Sequence, residues 1–322
     1  MTQQIQEKPF PVPVSYFSIT LGLFSIGLAW QHAEALFHAF PAFVSPVILS
    51  LAGMAWLALL SVYIAKWFIA KQQAQAELHH LIQCCFISLI PITAMLMALA
   101  VLPLSTSAAA GLILLGTVAQ LGFAAYRTAG LWRGTHKAEA TTPIIYLPTV
   151  AANFVSATAL SELGYDVWAM LFFGMGALSW ITLEPAILQR LRNLTPLDEA
   201  VRPIIGIQLA PAFVAANAYL HLTHGAIDNL ALMLTGYGLL QLLFLFRLLP
   251  WIFANGFNMS FWGFSFGLGS MANVGLYLSQ MSGETQGLAQ FGIILFWIGS
   301  ISIALLLAGT VLRMAQGRFL LK

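Results

Sequence analysis

The sequence predicts an all-α integral membrane protein with ten transmembrane helices, paired as five hairpins of one inner and one outer helix. Three observations carry this. The 322 residues are 60% hydrophobic and only 7% charged, with a mean hydropathy of +0.86. Soluble domains carry about 25% charged residues, so this composition cannot build a water-facing surface. Ten apolar stretches approach the roughly 20 residues that cross a bilayer as a helix. All 13 basic residues then fall on one side of those stretches.

The stretches run over residues 14–36, 46–69, 81–101, 108–127, 144–162, 166–187, 203–221, 229–249, 259–279 and 287–311. Before the first comes a polar, proline-rich start, Met1 to Val14, without the basic n-region and early apolar core of a cleaved signal peptide. Lys8 precedes the first helix, and Lys66 and Lys71 lie in the second connection. Arg127, Arg133 and Lys137 lie in the fourth, Arg190, Arg192 and Arg202 in the sixth, and Arg247 in the eighth. Arg313, Arg318 and Lys322 follow the last helix. The odd connections, such as "PLSTS" and "HLTHGAID", contain none. The positive-inside rule therefore puts both termini in the cytoplasm. Glu34, Glu162, Asp166, Asp228 and Glu284 sit on the far side, which the rule permits because acids contribute little to it.

Odd and even helices differ in kind. Pro91, Pro148 and Pro211 interrupt helices three, five and seven. Helices one and nine carry small or hydroxyl residues instead: Ser18, Thr20 and Gly22, then Ser265, Gly267, Gly269 and Ser270. In the even helices, Pro46, Pro185 and Pro250 read as terminal. A proline removes a backbone hydrogen bond and bends the helix. The freed carbonyl needs a partner that hydrocarbon cannot supply, so such kinks belong inside the protein or against water. The implied unit is a kinked inner helix followed by a plain outer helix, repeated five times around a central axis.

What is missing also discriminates. No Asp, Glu, Lys or Arg lies near the middle of an inner helix, and ionisable groups at membrane depth are what ion relays require. The polar groups left for a pathway are Thr93, Thr149, Asn153, Ser156, Gln208, Asn217, Ser265 and Asn273. The loops are too short for a catalytic domain and carry no phosphate-binding glycine loop or nucleophile motif. No enzyme, cofactor or nucleic-acid partner is expected. His221, His224 and Asp228 have a spacing open to a metal but read better as a polar mouth, and His79 and His80 as a solvated loop. The adjacent Cys84 and Cys85 cannot plausibly pair with each other and read as small apolar fillers.

One stretch resists these rules. "FWGFSFGLGSMA", residues 261–272, sets four aromatics in six positions beside Gly267 and Gly269. Gly263 and Gly267 form a G-x-x-x-G pair, a helix-packing signal. Together with "YLPTVAANF" (146–154), "GIQLAPAF" (206–213), "GYGLLQLLFLFRLLPW" (236–251), "AGLWRG" (129–134) and "EPAILQRLR" (184–192), this stretch closely resembles the tellurite-resistance/dicarboxylate transporter family. Its relatives include plant slow anion channels and fungal malate transporters, and the resemblance runs from about Pro9 to Lys322.

That resemblance implies five hairpins in quasi-five-fold symmetry, a pore through each subunit lined by the odd helices, and a homotrimer in the bacterial inner membrane. It also implies transport of small inorganic anions, with a phenylalanine of helix nine, matched here by Phe266, plugging the pore. Gly267 and Gly269 would then leave room around that ring. Ser18, in "YFSITLGL", departs from the family by standing where relatives carry glycine. The expected pore-lining or kink residues are Ser18, Gly22, Pro91, Thr93, Pro148, Asn153, Pro211, Gly267 and Gly269. Phe261 and Phe264, counted at 3.6 residues per turn, project onto other faces than Phe266. The reading is an anion channel conducting passively; the alternative is a secondary transporter exporting tellurite-related oxyanions or dicarboxylates.

Overall fold

The computed structural model describes residues 9–134, 136–281 and 283–320; Lys8 and Lys322 lie outside them. Five outer helices are continuous: α2 (Val44–Ile69), α5 (Thr106–Leu131), α7 (Asp166–Asn193), α9 (Asn229–Ile252) and α11 (Gln286–Ala315). Between them run five inner rods whose α-helical parts are α1 (Phe17–Leu36), α4 (Leu89–Val101), α6 (Ala152–Glu162), α8 (Ala210–Leu222) and α10 (Ser265–Leu278). A short helix, α3 (Lys71–His79), lies in the connection after α2. There the Lys66–Glu77 ion pair, at 2.9 Å, holds it against the end of α2.

The inner rods close a ring: α1 packs on α4, α4 on α6, α6 on α8, α8 on α10, and α10 back on α1. Each outer helix packs on the inner helix that precedes it. Burial separates the two sets. Among the described residues, nine rods are long and apolar enough to cross a membrane. In their most apolar stretches, 78, 67, 89 and 89% of residues are buried in the inner rods, against 17, 33, 17, 22 and 33% in the outer helices. The fifth inner rod, residues 259–278, is not among the nine, because its glycines, serines and Asn273 dilute its apolarity. It nevertheless completes the ring.

Every inner rod changes its winding partway. Val14–Tyr16 is a 3-10 turn leading into α1, Gln83–Ser88 leads into α4, and Arg202–Leu209 into α8. Met259–Phe264 leads into α10, while Pro143–Tyr146 and a π turn at Leu147–Ala151 lead into α6. Runs of 3-10 longer than three or four residues are uncommon because their hydrogen bonds are poorly aligned. Serines support three of the five junctions by bonding the carbonyl three residues back. Ser18 Oγ donates to Ser15 O at 2.7 Å, Ser88 Oγ to Cys85 O at 2.6 Å, and Ser265 Oγ to Trp262 O at 2.7 Å. At the other two, Pro148 and Pro211 stand at the second position of the new helix and bring no N–H that needs a partner. Proline is therefore one of two ways to make the break, since rods one and nine break without it. The outer helices differ from expectation at one proline: Pro185 lies inside α7, whereas Pro250 falls in the last turn of α9.

Inner and outer rings are tied by hydrogen bonds away from water. Trp56 Nε1 donates to Thr93 Oγ1, and Trp262 Nε1 to Thr310 Oγ1, both at 2.9 Å. Each threonine hydroxyl in turn donates to the carbonyl four residues back, Leu89 O at 2.6 Å and Leu306 O at 2.8 Å. Between α10 and α11 the backbones touch directly: a Cβ on Gly275 would lie 2.3 Å from Gly292 O, and one on Gly292 would lie 2.3 Å from Gly275 O. Such small-residue contacts are how helices associate in a solvent as apolar as they are.

Gly292→Ala should therefore force α10 and α11 apart and cost about 1–3 kcal/mol, the range for overpacking a tight site. Gly236→Ala, where a Cβ meets nothing within 4 Å, should be neutral or slightly stabilising. Thermal unfolding of the two variants in detergent measures the difference.

Candidate functional site

The axis enclosed by the inner rods holds two vestibules separated by a neck. At the end carrying Arg190, a cavity of about 440 Å³ is lined by polar groups that include Gln83, Glu139, Thr142 and Asp198. At the opposite end, a cavity of about 320 Å³ is lined by His32, Glu162, Asn217, His221, Asn273 and Tyr277. Between them lies a space of about 30 Å³, room for little more than a water molecule. All five inner rods build it, through Ser18, Leu89, Val150, Pro211 and Phe266 among others. Among the described residues, no Asp, Glu, Lys, Arg or His lines it.

Phe266 is the second residue of α10 and only 6% exposed. It borders both the neck and the far vestibule, a position shared with Val214 of α8. The winding change explains why it lies there: Ser18, Pro211 and Phe266 are each the second residue of their α-helix. The junctions thus bring corresponding positions of three rods to the wall of the neck, Ser18 towards the Arg190-side vestibule and Phe266 towards the far one.

Of the other residues expected along a pathway, Ser18, Pro211, Gly269, Asn217 and Asn273 line the neck or a vestibule. Thr93 faces Trp56 of the outer ring, and Asn153 accepts from Gln120 Nε2 of α5 at 3.2 Å. Pro91 and Pro148 are buried helix breaks outside the cavity walls. A Cβ on Gly22 would lie 2.4 Å from Ser265 Cβ, so Gly22 allows α1 to approach α10. Gly267 serves the same purpose against Leu209, where a Cβ would come within 2.9 Å of the backbone, and Gly269 against Ser25 Oγ, at 2.3 Å. These glycines seat the ninth rod between its neighbours.

The remaining aromatics of that stretch require a correction. Phe261 and Phe264 belong to the 3-10 segment, not to an α-helix. At three residues per turn they eclipse one another, and their rings stack 6.3 Å apart at 16°. Phe264 lies flat on the backbone of Gly206, where an added Cβ would come within 2.2 Å of its ring. Both are packing residues on the side of the rod away from the neck.

The far vestibule is a set of paired polar groups. Asn273 Oδ1 can only accept, so His32 Nδ1 donates to it at 2.7 Å, and Asn273 Nδ2 donates onward to Asn217 Oδ1 at 2.5 Å. His221 pairs with Glu162, and His224 with Asp166 at 3.4 Å. Asp228 caps α9, accepting from Leu230 N and Ala231 N, each at 3.0 Å. The Tyr219 hydroxyl also donates to it and holds its carboxyl below the usual range. His221, His224 and Asp228 thus have separate partners.

Glu184 is the residue whose importance sequence reasoning missed. On α7 it turns inward beneath four donors. Gln208 Nε2 and Tyr237 OH donate to Oε1, each at 2.8 Å. Tyr146 OH at 2.5 Å and Trp180 Nε1 at 2.7 Å donate to Oε2. The Tyr146 ring lines the neck. Glu184 therefore ties the neck to both α7 and α9. The only sequence signal was the recurrence of Tyr146, Trp180, Gln208 and Tyr237, four donors with few acceptors near them.

A family model described as a voltage-dependent anion channel, SLAC1, matches residues 11–311. The chain is 43% identical over 316 residues to a Haemophilus influenzae protein named tellurite resistance protein TehA homolog, covering 98% of this chain and 94% of that one. It is 28% identical over 180 residues to the S-type anion channel SLAH1 of Arabidopsis thaliana, covering 54% of this chain and 44% of the plant protein.

Glu184→Gln keeps the shape but turns an amide N–H₂ towards donors that need an acceptor, at about 1–3 kcal/mol for each buried group left unpaired. It should lower the unfolding temperature more than Tyr146→Phe, which removes one donor cleanly. Thermal scans of both variants in detergent decide; an unfolding temperature for Glu184→Gln equal to wild type would show that the network is not under strain from its loss.

Proposed function

Because the chain belongs to the SLAC1 family of voltage-dependent anion channels, we propose that it lets small inorganic anions cross the bacterial inner membrane passively, through the axis of each subunit of a homotrimer, with Phe266 closing the path. The observation that carries this reading is the neck: apolar, without an acidic or basic side chain among the described residues and bounded by Phe266, between two polar vestibules. A coupled carrier needs a group that changes charge where the substrate passes. A channel needs only an opening and binding weak enough to let the ion leave.

The field that favours anions comes from elsewhere. All five inner rods begin at the end of the molecule that carries Arg190 and Arg202. Helix N-termini carry roughly half a positive charge each, so the vestibule there receives five such ends together with nearby arginines. That side is the cytoplasmic one by the distribution of basic residues, and both termini lie on it.

With no cage of ligands to replace the hydration shell, discrimination should follow dehydration cost. In planar bilayers containing the purified protein, iodide should carry more current than chloride, and chloride more than fluoride. Anion flux into liposomes should be unaffected by an imposed proton gradient. Fluoride passing more readily than iodide would contradict the selectivity mechanism. Saturable flux of tellurite or a dicarboxylate that required the proton gradient would establish a carrier instead.

A further inference from the structure

A cavity of about 610 Å³ lies off the axis and exceeds either vestibule in size. It is a groove between the outer helices α7 and α9, at the ends of both that finish on the Arg190 side. Leu188 and Leu191 form one wall, Phe244 and Leu248 the other. The floor is the 3-10 half of the seventh rod, through Ile205 and Gln208. The groove is open to the membrane: Phe244 at its rim is 52% exposed. It exists because α7 and α9 pack on neighbouring inner rods rather than on each other.

Its chemistry is unlike that of the rest of the outer surface. Arg190 and Arg192, in the last turn of α7, both line it, and no carboxylate does. Arg190 uses its Nε on Glu139 O at 3.2 Å. Arg192 is exposed and makes no hydrogen bond or ion pair among the described residues. Trp251 closes the end, its ring covered by the Arg202 guanidinium at 4.6 Å. In the floor, Gln208 Oε1 is buried with no donor.

We propose that this groove binds an anionic glycerophospholipid, its phosphodiester on the Arg192 and Arg190 guanidiniums and one acyl chain along Leu188, Phe244 and Leu248. A lipid supplies both of the things the groove lacks, an anion at the membrane edge and hydrocarbon below it. Basic pockets between transmembrane helices on the cytoplasmic side are suited to such headgroups. Arginine favours phosphate because its planar fork can donate two parallel hydrogen bonds.

The test uses the full chain in detergent, titrated with phosphatidylglycerol or with phosphatidylcholine of the same acyl chains. Binding is read by native mass spectrometry and by thermal unfolding. Phosphatidylglycerol should bind and raise the unfolding temperature, while phosphatidylcholine and inorganic phosphate should do neither. Arg192→Gln, a change at an exposed position, should weaken phosphatidylglycerol binding about fivefold, the factor for one arginine at an anionic headgroup. Arg192→Lys should retain most of the binding. Equal effects of the two lipids, or a wild-type response to phosphatidylglycerol in Arg192→Gln, would overturn the proposal. So would stabilisation by inorganic phosphate alone, or loss of subunits in place of lipid from Arg192→Gln, which would make the groove an interface with a second copy.

Discussion

Hydrocarbon offers no hydrogen bonds, so every backbone amide and carbonyl within it must find a partner in the protein. The five inner rods meet this demand while changing winding partway along, and the rest of the architecture follows from that. A 3-10 to α junction misaligns several bonds at once. It is tolerable only where neighbouring helices shield it and side chains complete it. Five such junctions facing inward need a complete outer ring, and the five uninterrupted outer helices supply one. The serines that bond back three residues and the prolines that bring no N–H are two solutions to one accounting problem.

The same junctions shape the axis. Because the rods break at comparable points, Ser18, Pro211 and Phe266 all come to the wall of the neck. The walls on either side are polar; in the far vestibule they satisfy one another, as in the chain from His32 through Asn273 to Asn217, while Gln83 Oε1 and Thr142 Oγ1 of the other are buried without a partner among the described residues. The neck is apolar and tight. Glu184 couples this narrow point to the outer ring through Tyr146, so that the wall opposite the ninth rod is held by hydrogen bonds reaching to α7 and α9.

Much of this was legible in the residues. The apolar stretches and the one-sided basic residues gave the membrane class, and Pro91, Pro148 and Pro211 marked three of the five breaks. The other two were harder because Ser18 and Ser265 are common helix residues whose bond to the carbonyl three residues back leaves no pattern. Phe261 and Phe264 lie on other faces than Phe266, as expected, but a count of 3.6 residues per turn does not foresee that they stack on one another, because they belong to a 3-10 segment. Glu184 misled for another reason: its role depends on donors at positions 146, 180, 208 and 237, brought together only by the ring. Thr93 and Asn153 showed polarity at membrane depth, but the partner that claims each one, Trp56 or Gln120, lies on an outer helix.

The role of Phe266 rests on one claim, that its ring is what separates the two vestibules. The most direct measurement is the current through Phe266→Ala in planar bilayers, with Phe264→Ala as the control for disturbing the same rod. The ring stands beside a space of only about 30 Å³, so its removal should join the vestibules and raise conductance by a large factor. Phe264→Ala should lose packing on Gly206 and stability, about 3–5 kcal/mol for a core phenylalanine, without opening the path. A folded Phe266→Ala protein that conducts no better than wild type, while Phe264→Ala conducts strongly, would contradict it.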